Sequence, residues 1–427
     1  MNCRSVSITL AALVMTACGP TPHDVDEFAQ EYLYLELSMG LHDSSHVDAY
    51  FGPEELKTAA ETTALSLDQI LKASKDLAAR LSSIDVGDDE RLGMRIAGLL
   101  ARLHALDARI AINKGELLTF DDESMALFGS TAPHYDASHF ESILEELDAL
   151  LPGEGSLGER VEAFNNQFAI PLDKLPAVFE AAMAECRERT LEHIDLPEGE
   201  SFTIEYVNDK PWSGYNWYQG DSVSLIQVNT DFPIYISRAV DLGCHEGYPG
   251  HHTFNALLEK NLVNDEGWIE YSLYPLFNPQ SLIAEGSGNY GIDLAFPGQE
   301  RSDFEKAVLF PMASLDADDA DLYYAVAALT AKLNFAGNEA ARGYLNGDMT
   351  REEAAEWLQT YAMMPADKSL QRTRFIDTYR SYVINYNHGK AMVTDYVERG
   401  DADADERWSR FEAMLSSPML PKDLDTR

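Results

Sequence analysis

A short segment rich in histidine constrains this chain most strongly, because it combines metal-binding side chains with residues that break a helix. Residues 244–252 have the sequence Cys-His-Glu-Gly-Tyr-Pro-Gly-His-His. In the related pattern H-E-x-x-H, a helix brings two histidines one turn apart onto one metal ion and places the glutamate beside it. Here Pro249 stands where the second histidine is expected, and His251 and His252 follow two and three residues later.

The Pro-Gly pair decides which histidine can join His245. Pro249 lacks a backbone N–H and Gly250 tolerates unusual backbone angles, so we predict a bulge at this pair. Removing the pair restores His-Glu-Gly-Tyr-His, which favours His251 as the second metal ligand. His252 is then predicted to hydrogen-bond the substrate or a nearby carboxylate. One alternative is a kinked helix with His252 as the ligand, and another is an ordinary loop with a surface histidine pair.

The residues on either side predict a strand and then a helix. Residues 222–231 (SVSLIQVNTD) are rich in β-branched and apolar residues and end in turn formers, which favours a strand. Residues 253–261 continue as a helix. This order is typical of zincin active sites, in which an edge strand pairs with the substrate backbone. We therefore predict that Gln227 and Asn229, on this strand, bind substrate.

Three segments resemble one protein family. Residues 245–252 resemble the H-E-x-[YF]-P-G-H-H signature of the family of domain of unknown function 885, which is grouped by similarity with zincin metallopeptidases. Residues 284–290 (AEGSGNY) are similar to its E-G-W-A-x-Y segment, and residues 386–390 (YNHGK) to its late Y-x-x-G helix. The resemblance spans about residues 200 to 395. Ser287 and Gly288 stand where the family has Trp and Ala.

The resemblance implies a zinc-dependent peptidase. The implied ligands of Zn²⁺ are His245, Glu285 and either His251 or His252. Glu246 is then the general base that takes a proton from the attacking water.

A later helix is predicted to add polar and aromatic side chains to the site. Arg374, Tyr379, Tyr382 and Tyr386 fall three to five residues apart, which on one long helix makes a stripe. In zincins a Tyr, His or Arg from a later helix commonly supports the oxyanion. Tyr382 and Tyr386 are therefore candidate catalytic residues, and Arg374 and Tyr290 are candidate substrate-binding residues. Structural packing is the alternative for each.

The beginning of the chain predicts export. Arg4 precedes an apolar run over residues 8–15, and Thr16-Ala17-Cys18 resembles a bacterial lipobox. We predict a lipoprotein-type signal peptide over residues 1–17 with Cys18 as the lipidated residue, and ordinary secretion as the alternative. The predicted location is the periplasmic side of the bacterial envelope. The lipid anchor is the only predicted attachment to the membrane, and the outer membrane is the expected one.

The rest of the chain predicts a mainly α fold with a small β-sheet (α+β), in which a zincin-like catalytic region packs on an N-terminal helical region. Apolar residues repeat at helix spacing from Leu92 to Ile110, and residues 350–353 form a capping box that opens a helix through Tyr361. Residues 196–200 break the helical pattern. We therefore predict a helical region over residues 18–198 and a catalytic region over residues 199–427.

Charge and cysteine content limit the partners and the compartment. The chain has 72 acidic and 32 basic residues, a net charge of −40, which disfavours binding to nucleic acids or anionic lipids through basic patches. The acids are scattered, which favours solubility in a salty habitat over a preference for cationic substrates. Cys186 lies on an apolar helix face and Cys244 adjoins the histidine segment, so both are predicted to be buried thiols, with one disulfide as the alternative.

The predicted function is hydrolysis of peptide bonds by an exported zinc metallopeptidase whose partner is a peptide substrate. No G-x-S-x-G nucleophile elbow or phosphate-binding glycine loop competes with this assignment. Two alternatives stay open. One is a non-catalytic lipoprotein that binds peptides or a partner, and the other is a zinc hydrolase of non-peptide amides or esters. The sequence carries no prediction of oligomeric state.

Overall fold

The computed structural model describes Thr21 and residues 24–210 and 212–425. The predicted signal peptide over residues 1–17 and the predicted lipidation site at Cys18 lie outside the described residues.

The described chain begins with a series of helices and one short strand. The helices are α1 (Val25–Gly40), α2 (Glu54–Thr63), α3 (Leu67–Ser82), α4 (Glu90–Asn113), α5 (Phe120–Phe128), α6 (Ala137–Leu150), α7 (Leu157–Asn165) and α8 (Leu175–Leu191). Strand β1 (Val47–Tyr50) connects α1 with α2. The predicted stripe lies on α4, where Ile96, Leu99 and Ile110 are buried against α1 and α3. The apolar spacing therefore predicted both the helix and its buried face.

A three-stranded sheet follows the helices. It contains β2 (Ser201–Val207), β3 (Gly214–Gly220) and β4 (Val223–Asn229) in the order β2-β4-β3. Strand β4 pairs in parallel with β2 and antiparallel with β3. The strand predicted over residues 222–231 is thus present as β4, but it is central, because neighbours occupy both of its edges. The edge strand nearer the histidine segment is β3.

Helices return after the sheet, and the fold is α-rich with small sheets, as predicted. The helices are α9 (Ser237–Leu242), α10 (His251–Leu258), α11 (Pro279–Ala295), α12 (Glu300–Phe304), α13 (Phe310–Ala313), α14 (Ala320–Lys332), α15 (Ala336–Asn346), α16 (Arg351–Tyr361), α17 (Ala366–Tyr379), α18 (Ile384–Glu398), α19 (Ala404–Leu415) and α20 (Pro421–Leu424). The predicted capping box is formed: the Thr350 hydroxyl accepts from Glu353 N at 3.2 Å, and Thr350 N donates to the Glu353 carboxylate at 2.8 Å. No helix in the described residues is long and apolar enough to cross a membrane.

Packing joins the N-terminal helices to the sheet and to the helices that follow it. Strand β1 pairs antiparallel with β5 (Leu273–Pro275), and Leu273 belongs to the core of α1, α3 and α4. A larger core combines residues of α6–α8 with residues of β4 and α9–α11. The division predicted at residue 198 stays a prediction, and residues on both sides of it share these cores.

Cys186 and Cys244 form a disulfide, so the prediction of two buried thiols is wrong. Both residues are fully buried, as predicted. Helix α8, however, packs on the turn that carries Cys244, and the two Cα atoms lie 5.5 Å apart, within the range that a disulfide spans. Their separation of 58 residues hides this proximity from the sequence.

This disulfide is expected to stabilise the fold. A double variant, Cys186→Ala with Cys244→Ala, should lower the free energy of unfolding by about 2–4 kcal/mol, because the cross-link no longer restricts the unfolded chain. Urea unfolding of the oxidised protein, the reduced protein and the double variant measures this effect. Equal unfolding midpoints for the oxidised and reduced protein would contradict it.

Candidate metal site

The backbone changes course between the two halves of the histidine segment. Helix α9 continues into a π-helical turn over Gly243–Gly247, the Tyr248–Pro249 peptide bond is cis, and α10 begins at His251. At Gly250 a Cβ atom would lie 1.9 Å from the His245 carbonyl oxygen, so only glycine fits this close approach. The break occurs where the sequence predicts a bulge. It brings the rings of His245 and His251 together, with centroids 4.6 Å apart.

Glu285 of α11 completes a cluster with these two histidines. One potential ligand atom from each of the three residues lies within 4.8 Å of the others. Glu285 Oε2 lies 3.3 Å from His245 Nε2 and 3.8 Å from His251 Nε2. This oxygen is buried and has no hydrogen-bond partner, whereas Oε1 accepts from the Tyr382 hydroxyl at 2.8 Å. Two imidazole nitrogens and an unsatisfied carboxylate oxygen fit a zinc ion with room for a fourth ligand.

The charges around the cluster favour a bound cation. Burial lowers the pKa of His251 to about 4, helped by the charge of His245, so the His251 ring is neutral and can donate a lone pair. Burial would raise the pKa of Glu285, but the neighbouring histidines hold it below its usual value. Burial would lower the pKa of His245, but Glu285 and Glu246 raise it. The carboxylates thus already attract positive charge to the cluster.

Glu246 lies beside the cluster and next to the edge strand β3. It is buried, and Asn216 of β3 donates to its backbone oxygen at 2.6 Å. Burial raises the pKa of the Glu246 carboxyl to about 7, against the charge of His245 and with that of Glu285. No described side chain hydrogen-bonds its carboxylate, so the group is free to meet a water or a substrate.

Two glycines explain why the second and third motifs occur together. A Cβ at Gly286, next to Glu285, would lie 2.5 Å from the Gly389 oxygen, and a Cβ at Gly389 would lie 2.6 Å from the Leu282 oxygen. The backbones of α11 and α18 therefore touch at these glycines. This contact places the residues just before Gly389 against Glu285. Gly288, where the resembled family has Ala, leaves room for the His245 ring, because a Cβ there would lie 2.9 Å from His245 Nδ1.

Tyr382 contacts the cluster and Tyr386 lies next to Tyr382, with ring centroids 5.8 Å apart, but their surroundings differ. Tyr382 is buried and donates to Glu285. Tyr386 is partly exposed, and its hydroxyl makes no hydrogen bond within the described chain. Burial raises the pKa of Tyr386, as do the charges of Glu285 and Glu246, so its hydroxyl keeps its proton at neutral pH. Tyr386 is therefore available as a hydrogen-bond donor.

The predicted single long helix with a polar-aromatic stripe is wrong. Helix α17 ends at Tyr379, Arg380 has a φ of 53°, and α18 begins at Ile384 after a 3₁₀ turn. The buried carboxylate of Glu123 fixes this break, because it accepts from Arg380 Nε at 2.6 Å and from the Ser381 backbone at 3.0 Å. The rings of Tyr379 and Tyr382 still approach each other across the break, with centroids 6.2 Å apart.

His252 points away from the cluster. Its Nδ1 lies 2.8 Å from the Ser224 hydroxyl of β4, and its Nε2 lies 3.1 Å from the Glu200 carboxylate. The residue is fully buried. Contact with a carboxylate is one of the two roles predicted for His252. The contacts of His252 with Glu200 and Ser224 join α10 to the sheet.

Gln227 and Asn229 do not face the cluster. Gln227 accepts from Trp217 Nε1 at 3.0 Å and donates to Glu205 at 3.0 Å. Asn229 is buried, and its side-chain amide donates to two carbonyls of the preceding loop at 3.0 Å each. Both side chains are engaged within the sheet, because β4 is its central strand.

Tyr290 and Arg374 are also placed elsewhere. Tyr290 is buried on the side of α11 that packs on Phe411, and it donates to Glu398 at 3.2 Å. Arg374 is exposed on α17. Neither side chain meets the cluster, so the structure gives no support to substrate binding by these two residues.

Two residues near the cluster were not predicted from the sequence. Asp48 of β1 accepts from the Tyr215 hydroxyl, and burial together with the charges of Glu285 and Glu246 raises its pKa to about 7. No sequence pattern connects Asp48 to the motifs. Arg372 lies near Tyr386, and its charge lowers the pKa of that hydroxyl. Its position three residues before an aromatic residue on α17 is the signal that could have revealed it.

Comparison with known proteins finds similarity to solved structures, and one of them has a TM-score above 0.5. No protein-family model matches the chain, and no curated protein matches it. A solved structure of a protein from Colwellia psychrerythraea, assigned as a lipoprotein, is similar with a TM-score of 0.51 and 15% identity, over 84% of this chain and 68% of that chain. A Shewanella oneidensis protein, assigned as a lipoprotein of unknown function, has a TM-score of 0.46 and 14% identity, over 86% and 74%. Trypanosoma cruzi metallocarboxypeptidase 1 has a TM-score of 0.48 and 13% identity, over 94% of each chain. Membership of the family of domain of unknown function 885 stays a prediction from the motifs.

The geometry predicts different outcomes for the two neighbouring histidines. His251→Gln should lower zinc affinity by more than about 100-fold, because a ligand is lost, whereas His252→Gln should lower it by less than about 10-fold. Zinc retained after dialysis against a competing chelator measures both variants. Loss of zinc only from the His252 variant would show that the ligand assignment is wrong.

Proposed function

We propose that this chain is a zinc-dependent metallopeptidase that hydrolyses peptide bonds. The observation that carries the proposal is the convergence of His245, His251 and the unsatisfied oxygen of Glu285, with the free carboxylate of Glu246 beside them. Two imidazoles and one carboxylate form a common ligand set of catalytic zinc sites. A zinc ion held by these residues would lower the pKa of a bound water to about 7 and polarise the scissile carbonyl.

The side chains around the cluster have separate tasks in this proposal. Glu246 takes a proton from the attacking water and passes it to the leaving nitrogen. Tyr386, which is protonated and has no partner in the described chain, donates to the oxygen of the scissile carbonyl as negative charge develops there. Tyr382 instead holds Glu285 by a 2.8 Å hydrogen bond and so fixes the direction of the ligand.

The position of β3 supports a peptide as the substrate. This strand lies at the edge of the sheet, and Asn216 ties it to the backbone at Glu246. An extended peptide can add to such an edge through backbone hydrogen bonds, which would bring its carbonyl groups past Glu246. Pairing with the substrate backbone, which the sequence predicts for β4, is thus proposed for β3.

The proposed setting is the bacterial envelope. The disulfide of Cys186 and Cys244 supports an oxidising compartment, and the lipobox at Cys18 supports a lipid anchor. The names given to the Colwellia and Shewanella proteins agree with this setting. A net charge of −40 argues against nucleic acid as a partner.

Glu246→Gln provides the direct test of the proposal. The variant should keep bound zinc but hydrolyse peptides several orders of magnitude more slowly, because only the proton acceptor is lost. Digestion of a peptide mixture by the zinc-loaded protein, the chelated protein and the variant, followed by mass spectrometry, measures this. Hydrolysis that survives chelation, or that is unchanged in the variant, would overturn the proposal.

The two tyrosines form a matched pair for a second test. Tyr386→Phe should lower kcat by about 10²- to 10³-fold with zinc affinity unchanged, since its hydroxyl acts only on the developing charge. Tyr382→Phe should weaken zinc binding by roughly 10- to 100-fold, since Glu285 loses the hydrogen bond that orients its carboxylate. Steady-state kinetics with zinc titration separates the two effects. Identical behaviour of the two variants would refute the division of tasks.

A further inference from the structure

Arg372 is a partly buried arginine to which no described carboxylate is paired. Its Nε atom is buried and has no hydrogen-bond partner. The guanidinium lies over the ring of Phe375, with Cζ 4.3 Å from the ring centroid. A buried charge without an opposite charge costs free energy, and here the chain offers 72 acidic residues that could have supplied one.

A row of aromatic rings connects Arg372 with the metal cluster. The ring of Phe375 stacks near that of Tyr379 at 4.4 Å, and Tyr382 and Tyr386 follow at 6.2 and 5.8 Å between successive centroids. Tyr382 in turn donates to Glu285. Tyr386, the last ring of this row, is the group on which the charges of Arg372, Glu285 and Glu246 all act.

The other arginine near the cluster is already paired. Arg238 influences both His245 and Glu246, but it forms an ion pair with Asp241 at 3.2 Å. Among the described residues, the carboxylates of Asp48, Glu246 and Glu285 also act on groups of this site. A substrate carboxylate would be repelled by these three groups, so Arg372 is the group that can bind it.

We propose that Arg372 binds the C-terminal carboxylate of the substrate, so that the enzyme removes residues from the C-terminus of peptides. This inference rests on the proposed peptidase function and names the substrate class of the same site. A guanidinium binds a carboxylate through two parallel hydrogen bonds, and the aromatic row would keep water from competing with them. One extended residue spans at most about 3.6 Å, so the carboxylate of the residue after the scissile bond stays close to Tyr386.

Two N-blocked peptides that differ only in a C-terminal carboxylate or carboxamide test this inference. The zinc-loaded protein should release one C-terminal residue from the free acid, with a kcat/KM at least about 10- to 100-fold higher than for the amide. Arg372→Met should lose this preference and keep its zinc. Arg372→Lys should restore part of it, because charge returns without the two-pronged geometry. Arg374→Met, which removes an exposed arginine from the same helix, should behave like the wild type.

Binding to the zinc-loaded Glu246→Gln protein gives a readout that does not need turnover. Calorimetry should show tighter binding of the free acid than of the amide, and adding Arg372→Met should abolish the difference. Equal binding of the two peptides, or internal cleavage of both at the same rate, would overturn the role of Arg372 while the peptidase function stands. Zinc-loaded protein that cleaves neither peptide but still prefers the free acid in binding would overturn the peptidase function and keep the carboxylate site.

Discussion

The close backbone approach at Gly250 is the constraint on which the site depends. In an unbroken helix His251 would lie six residues after His245, on a different face. The π-helical turn and the contact of Gly250 with the His245 carbonyl shorten this path, so that the rings meet. The same geometry turns His252 toward the sheet. There it contacts Ser224 of β4 and Glu200, the residue before β2. One steric fact thus places His251 in the cluster with His245 and Glu285 and leaves His252 in contact with the sheet.

A second close contact brings Glu285 to the two histidines. The glycines at 286 and 389 let α11 and α18 touch, and this contact places Glu285 within reach of both Tyr382 and the histidines. Any larger side chain at either glycine would separate the helices and withdraw the carboxylate. The E-G and Y-x-x-G segments are therefore two halves of one interface, although about a hundred residues lie between them.

The sequence predicted what depends on local patterns and missed what depends on packing. Periodicity gave α4, and a capping box gave α16, because both are determined by neighbouring residues. The histidine motif also indicated the break at Pro249. The disulfide, the central position of β4 and the nearness of Asp48 involve residues far apart in the chain. A stripe on one long helix favours Arg374, whereas Arg372 acts on Tyr386, because α17 ends at Tyr379 and Tyr386 lies on a different helix.

The charges in the site connect metal binding with the stability of the fold. Burial raises the pKa of Asp48 and of Glu246 to about 7, and the negative charge of Glu285 acts on both groups in the same direction. Two buried carboxylates with raised pKa values oppose folding at and above neutral pH unless they bind protons or a cation. A cation that binds only the folded chain raises the free energy of unfolding. The increase grows with the logarithm of the ratio of the cation concentration to the dissociation constant. A metal ion bound at the cluster would therefore also stabilise the fold, since the negative charges of Asp48 and Glu246 oppose folding without a cation.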